Sequence, residues 1–350
     1  MIHPKLPKSL SSLIIPPHMT RTSLEENFLF CNNPAPYSVL GFSSPTALQI
    51  LSDNPHWNAD GTFRTSPKLF YQSYSIHTWD EFSMKSVVYA ELPNKEEVSY
   101  HVLLNALTTY AQQNNISLKP QSVLIDFEIA ALNSFSKTFP TAVIKGCQFH
   151  FAQNIWKKVK KYNLVQLAKE EETRRELANI LALPLLPPSR IDEAFSNIVE
   201  NISNISPRFL KLTDYILKTY VENPRFEVDF WNHFDLTGVR PRTNNHVEGY
   251  HAQLNSQCKT HPNLWAWINY IKGSKESVMV RYEQEQRQQR STRPRKARSI
   301  HIDAVLNAAK QNYMCGHIDL EDLQKLLRAL SHRYTKVCEN SKDDDEYEPK

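Results

Sequence analysis

SVLIDFEIAALNSFSKTFPTAVIKGC, Ser122–Cys147, is the stretch on which the fold turns. Its first five residues are an apolar run closed by an acid, the pattern of a short buried strand. FEIAALNSFSKTF then takes helical spacing, and TAVIKGC returns to a strand pattern. A strand, a helix and a strand in such close succession form the unit of an α/β layer. Upstream, WNADGTF, LFYQSYSIH and KSVVYAEL are rich in aromatic and β-branched residues and separated by turn formers, so each is expected as a strand. EEVSYHVLLNALTTYAQQ carries Val98, Val102, Leu103, Ala106 and Leu107 near helical spacing. The expected fold class is α/β, a mixed sheet flanked by helices.

Outward from this core the texture changes. Residues 1–50 form an N-terminal extension, punctuated by proline, with short strand candidates such as PYSVLGF. Residues 51–150 are the first part of the core. Residues 151–235 read as an all-helical insertion, as in IWKKVKKYNLVQLAKEEETRRELANILAL and RIDEAFSNIVENI, interrupted at PLLPPS. The core resumes over residues 236–290 with TNNHVEGYHAQLN and the helical WAWINYIKGSKESVMVRYEQEQ. Trp265 and Trp267 are expected in the core, with base stacking as the alternative. Residues 291–350 are expected as a peripheral tail, basic and then acidic. No internal repeat is visible.

A chain of 350 residues with 41% hydrophobic and 11% aromatic content is globular, not disordered. Its net charge of +4 is weak evidence for a polyanionic partner. The distribution says more: RYEQEQRQQRSTRPRKAR, Arg281–Arg298, precedes the acidic KDDDEYEPK. Five scattered cysteines point to a reducing compartment. No run approaches the ~18–20 apolar residues of a membrane helix, and the apolar core of the first residues is too short for a secretory signal. An intracellular protein is expected, with no membrane and no small-molecule cofactor.

Three acids stand out, each with an ordinary alternative. Asp60 in WNADGTF is either a strand residue facing a cleft or part of an Asp-Gly turn. Asp126 closes SVLID, where it is either an N-cap or a site residue at the carboxyl end of a strand. Glu248 completes a capping-box spacing with Asn245; on a helix it also shares a face with His251, Ala252 and Asn255. Converging on one point, three carboxylates repel one another, and hard divalent cations relieve that repulsion through oxygen ligands.

WNADGTFRTSPKLFYQSYSIH, VLIDFEIAALNSFSKTFPTAVIKGCQFHFAQNIWKKV and PRTNNHVEGYHAQLN with HPNLWAWI after it resemble, in this order, the transposases of Mutator-like elements (MULE) and their domesticated relatives. The resemblance covers roughly residues 50–270 and implies a ribonuclease H-like core with a DDE triad and a helical insertion before the third acid. It implies Asp60, Asp126 and Glu248 as catalytic ligands of Mg2+ or Mn2+, and DNA cleavage followed by strand transfer. Cys147 and His150 match the family's C-x-x-H motif. Joined by Cys258 and His261, they offer a second expectation, a zinc site. His150 and His251 are expected near the acidic cleft, orienting carboxylates or touching DNA. Further DNA contacts are expected from Arg240, Arg242, Asn244, Asn245, Arg293, Arg295, Lys296 and Arg298. A homo-oligomer on DNA and a nuclear location, with RPRKAR as import signal, complete the picture. About 50 residues with one cysteine precede the core, so no N-terminal zinc finger of the family's kind is expected. This leaves open a domesticated regulatory protein without turnover, or a host nuclease without transposition.

Overall fold

The computed structural model describes residues 6–7, 9–80, 82–236, 245–291 and 296–340. In chain order its elements are β1 (Leu29–Asn32), β2 (Leu40–Phe42), α1 (Pro45–Asp53), β3 (His56–Thr62), β4 (Gln72–Trp79), β5 (Met84–Leu92), α2 (Glu97–Gln113), β6 (Ser122–Ile125), α3 (Ile129–Thr138) and β7 (Val143–Gly146). Then come α4 (Gln148–Lys161), α5 (Glu171–Ala182), α6 (Ile191–Ile205), α7 (Leu210–Ile216), α8 (Val228–Trp231), α9 (Asn245–Gln257), α10 (Leu264–Gln288), α11 (Ala297–Met314) and α12 (Leu320–Asn340). The strands form one sheet in the order β1-β2-β5-β4-β3-β6-β7. It is mixed: β3 runs antiparallel to β4 and parallel to β6. The α/β class read from the sequence therefore holds.

The chain divides into two compact units, Met1–Ile144 with Asn244–Pro294 and Asp343–Lys350, and Lys145–Thr243 with Arg295–Lys342. In the first, residues 1–50 do more than extend the core. They add β1 and β2 to the sheet, and β2 pairs with β5 through Leu40–Glu91 and Phe42–Tyr89. The reason is apolar: Ile15, Met19, Phe28, Leu40 and Phe42 join Tyr89, Trp265, Trp267, Ile268 and Ile271 in one buried cluster. Trp267 meets Phe42 edge-on at 5.7 Å. Both tryptophans are core residues, buried to within 2%, and the base-stacking alternative falls.

The second unit is helical. Phe151 of α4 stacks on Trp231 and meets Tyr220 edge-on. α5 packs against α6 and α12, and α11 packs against α12. Residues expected in a peripheral tail thus supply two helices of this unit, with Leu306, Leu323 and Leu327 buried. Lys310 is buried too, its ammonium donating to the carbonyls of His233 and Phe234. Two of its three protons thus meet carbonyls, and the Phe234 ring lies 5.5 Å from the ammonium, which eases the burial of a cation.

Candidate functional site

β3 and β4 each alternate polar with apolar residues. Asn58, Asp60 and Thr62 share one face of β3, while Trp57, Ala59 and Gly61 share the other. Across the ladder, Asn58 pairs with His77, Asp60 with Ser75 and Thr62 with Ser73. The polar faces therefore coincide, and alternation of this kind ordinarily means a face turned to water. Here the whole set, from Asn58 to His77, is buried. α9 lies against β3 and α10 against β5. A pocket on this side is lined by Thr62, Ser73, Ser75, Tyr250, His251 and Leu254, among others.

Asp60 is a strand residue, and the Asp-Gly pair makes no turn. A Cβ at Gly61 would stand 2.6 Å from the Gln72 side-chain oxygen, so that amide would have to shift. Gln72 in turn donates to Tyr100 Oη at 2.6 Å, and Tyr100 donates to Glu128.

Asp126 follows the parallel neighbour. β6 pairs His56 with Ser122, Trp57 with Val123 and Asn58 with Leu124. Continued by two residues, that register sets Asp126 level with Asp60. The carboxylate oxygens of the two lie within 4.8 Å of one another. Each acid is oriented by the next residue's amide: Gly61 N–H donates to Asp60 Oδ1 at 2.9 Å, and Phe127 N–H to Asp126 Oδ1 at 2.6 Å. The N-cap alternative for Asp126 fails, because α3 begins at Ile129 with Glu128 as its cap residue.

The local potential is negative. Tyr74 is buried and its phenol is pushed well above the ordinary range, first by burial and then by Glu128, Asp60 and Asp126. Glu128 is partly compensated, being paired with Lys95.

α9 presents Val247, His251 and Leu254 as its buried side. His251 Nδ1 stands 3.8 Å from Asp60 Oδ2. Its Nε2 is 3.3 Å from Ser75 Oγ, which is 2.8 Å from His77 Nε2. Burial, with His251 adding to it, holds His77 well below the usual imidazole range, so it is neutral at pH 7. His77 and His251 thus share Ser75 Oγ between their Nε2 atoms, and His251 turns Nδ1 toward Asp60. His77 Nδ1 is buried and has no hydrogen-bond partner among the described residues. Ser75 and His77 were not anticipated from sequence. Their signal was the polar alternation in QSYSIHTW, which reads equally well as a solvated face.

Glu248 stands on α9 one turn before His251; its side chain lies outside the described residues, as do the side chain of Asn245 and the whole of Arg240, Arg242, Asn244, Arg293 and Arg295. Ala252 is exposed, so the shared face expected around Glu248 is only partly buried. Lys296 and Arg298 are exposed. Arg281, at the start of the basic stretch, donates to the Met84 carbonyl at 3.2 Å.

Cys147 is buried at the start of α4, and His150 is half-buried on that helix. The zinc expectation is not supported: among the described residues, no group of three or more potential ligands includes Cys147, Cys258 or His261. His261 is tied instead to the first unit's own backbone, with Nδ1 3.0 Å from the Ser66 carbonyl. The Cys258 thiol is pushed up by burial, which disfavours the thiolate zinc requires.

A mixed α/β sheet with two oriented carboxylates at matched height defines a candidate site for hard cations. Residues 56–154 match the family model of the MULE transposase domain, which supports the likeness read from the sequence. The match opens at the first residue of β3 and includes Asp60, Asp126, Cys147 and His150. No curated protein matches the chain.

Proposed function

We propose that the chain is a MULE-type DDE transposase with a ribonuclease H-like core, cleaving DNA and transferring the freed strand with Mg2+ or Mn2+. One observation carries the reading: Asp60 and Asp126, on adjacent parallel strands within the matched segment, bring carboxylate oxygens to within 4.8 Å. Hard oxygen donors in this arrangement suit Mg2+ or Mn2+ and do not suit a soft-ligand metal.

In this reading Asp60 and Asp126 hold the cations and Glu248 on α9 completes the set. When bound, such ions generate a nucleophile at neutral pH and stabilise the leaving oxygen of a phosphodiester. The protein's own part is orientation. The amides of Gly61 and Phe127 fix the two carboxylates, and the His77–Ser75–His251 line steadies Asp60. DNA is the substrate, approached as a homo-oligomer in the nucleus.

The test is a nicking and strand-joining assay on duplex DNA with Mg2+ or Mn2+. The reading expects both products. Binding without metal-dependent cleavage would favour a domesticated regulatory protein, and cleavage without joining a host nuclease.

The orienting line gives a separate expected result. Ser75→Ala should weaken Mn2+ binding by about 10–100-fold, the usual effect of removing an outer partner of a metal ligand. Titration followed by electron paramagnetic resonance measures it directly. Unchanged affinity would show that His251 needs no support from Ser75.

A further inference from the structure

Behind the acid pair, on the face of the sheet that alternates with Ser73 and Ser75, runs a line of polar side chains with no part in holding a cation. Gln72 of β4 and Tyr100 of α2 are both fully buried. Gln72 Nε2 donates to Tyr100 Oη at 2.6 Å, and Tyr100 donates in turn to Glu128 Oε2. The other carboxylate oxygen of Glu128 accepts from Lys95. Glu128 is therefore gripped on both oxygens, by two different segments of the chain.

What Glu128 holds is the turn that carries Asp126. Its own N–H donates to the Asp126 carbonyl at 2.9 Å, and the Phe127 N–H between them donates to Asp126 Oδ1 at 2.6 Å. The chain passes in three residues from the end of β6 to the start of α3, and the middle amide sets the direction of the Asp126 carboxylate. Glu128 is the cap residue of α3, yet its side chain makes no cap hydrogen bond. It reaches sideways to Tyr100 and Lys95 instead. Nor does it join the ligands: among the described residues, the group that brings Asp60 and Asp126 together does not include Glu128. It is close all the same. Burial first, and then Glu128, Asp60 and Asp126, raise the phenol of Tyr74, whose ring meets Tyr100 edge-on at 5.2 Å.

The ordinary account is a buried tyrosine that docks one helix on another. That docking is already made elsewhere: Ser134 Oγ of α3 donates to the Glu97 carbonyl of α2 at 3.0 Å, and Asn133 Nδ2 to Glu97 Oε2 at 2.8 Å. Packing alone would also be served by apolar side chains, which bring no buried amide or hydroxyl to satisfy. A fully buried polar line contributes one fixed geometry, and here that geometry ends at the Asp126 turn.

We propose that Tyr100 is a positioning residue for Asp126, holding the Asp126–Glu128 turn through the Glu128 carboxylate, with Gln72 as its own support. This role rests on the cation reading of Asp60 and Asp126, and adds to it a residue outside the acid cluster. Partners that orient a metal ligand without touching the metal are typically worth about 10–100-fold in affinity.

The test is Mn2+ binding by the full chain, followed by electron paramagnetic resonance, with denaturant unfolding measured on the same samples. Tyr100→Phe, which keeps the ring and removes the hydroxyl, should weaken Mn2+ binding by about 10-fold, the lower end of that range. Tyr110→Phe is the control on the same helix. Its phenol donates to the Asn27 carbonyl at 2.9 Å, and its loss should leave Mn2+ affinity unchanged. Adding Tyr100→Phe to Glu128→Ala should weaken binding no further than Glu128→Ala alone, because the two act through one contact. A tyrosine that only packs would lower stability in Tyr100→Phe and leave Mn2+ affinity at that of the unmodified chain. That result, or additive losses in the double variant, would overturn the proposal while the cation site stands. No Mn2+ binding by the unmodified chain would overturn the cation reading and this role with it.

Discussion

Asp126→Ala should abolish metal-dependent nicking while duplex binding persists. The expected loss is at least about 10²–10³-fold, the effect of removing one preorganised electrostatic contact from an active centre. Asp126 sits level with Asp60 across a parallel pair, and its orientation is fixed by the Phe127 amide. Removing the carboxylate leaves Asp60 without its neighbour, and the cation site loses one of its oxygen donors. The strand itself should survive, because Val123, Leu124 and Ile125 carry the packing of β6. Binding in the absence of metal is the control that separates lost chemistry from lost fold. Retained cleavage in this variant would mean that the reaction, if present, is run elsewhere.

Glu285→Ala should destabilise the first unit by about 1–3 kcal/mol, the cost of leaving buried polar groups short of a hydrogen-bond partner. Lys85 of β5 is fully buried, with its ammonium 2.7 Å from both Asp80 Oδ2 and Glu285 Oε2. Ser83 Oγ donates to the same Glu285 oxygen at 2.9 Å. Asp80 Oδ1 meanwhile accepts from the backbone of Ser83 at 2.7 Å, so the β4–β5 turn and α10 share one network. Truncating Glu285 removes α10's share and leaves Lys85 with Asp80 and Ser83 Oγ, in a space closed to water. Denaturant unfolding measures the change, and Glu285→Gln should fall between the two, keeping hydrogen bonds but not the charge. A loss below about 1 kcal/mol would place this pair with surface ion pairs, against its burial.

The acids were legible because each stands where a strand pattern ends or turns polar. SVLID announces a buried strand delivering Asp126, and WNADGTF carries Asp60 on a strand whose apolar partners, Trp57 and Ala59, mark the opposite face. What the sequence does not display is the cover. Ser73, Ser75 and His77 look like a wet face until α9, more than 160 residues further on, is laid against the sheet; α9 itself packs on β3. The same distance hides the Lys85–Glu285 pair. Residues 1–50 were underestimated because Phe28, Leu40 and Phe42 find their partners on α10. α12 was read as tail because its packing partner, α5, lies far upstream. Local pattern gives elements and their ends; burial depends on partners that no window contains.

Anomalous scattering from crystals grown with Mn2+ tests the central claim most directly. The account predicts density shared by the carboxylates of Asp60 and Asp126, with that of Glu248 completing the set. Ordered carboxylates with no scatterer between them, or a Glu248 side chain directed away from the pair, would contradict it.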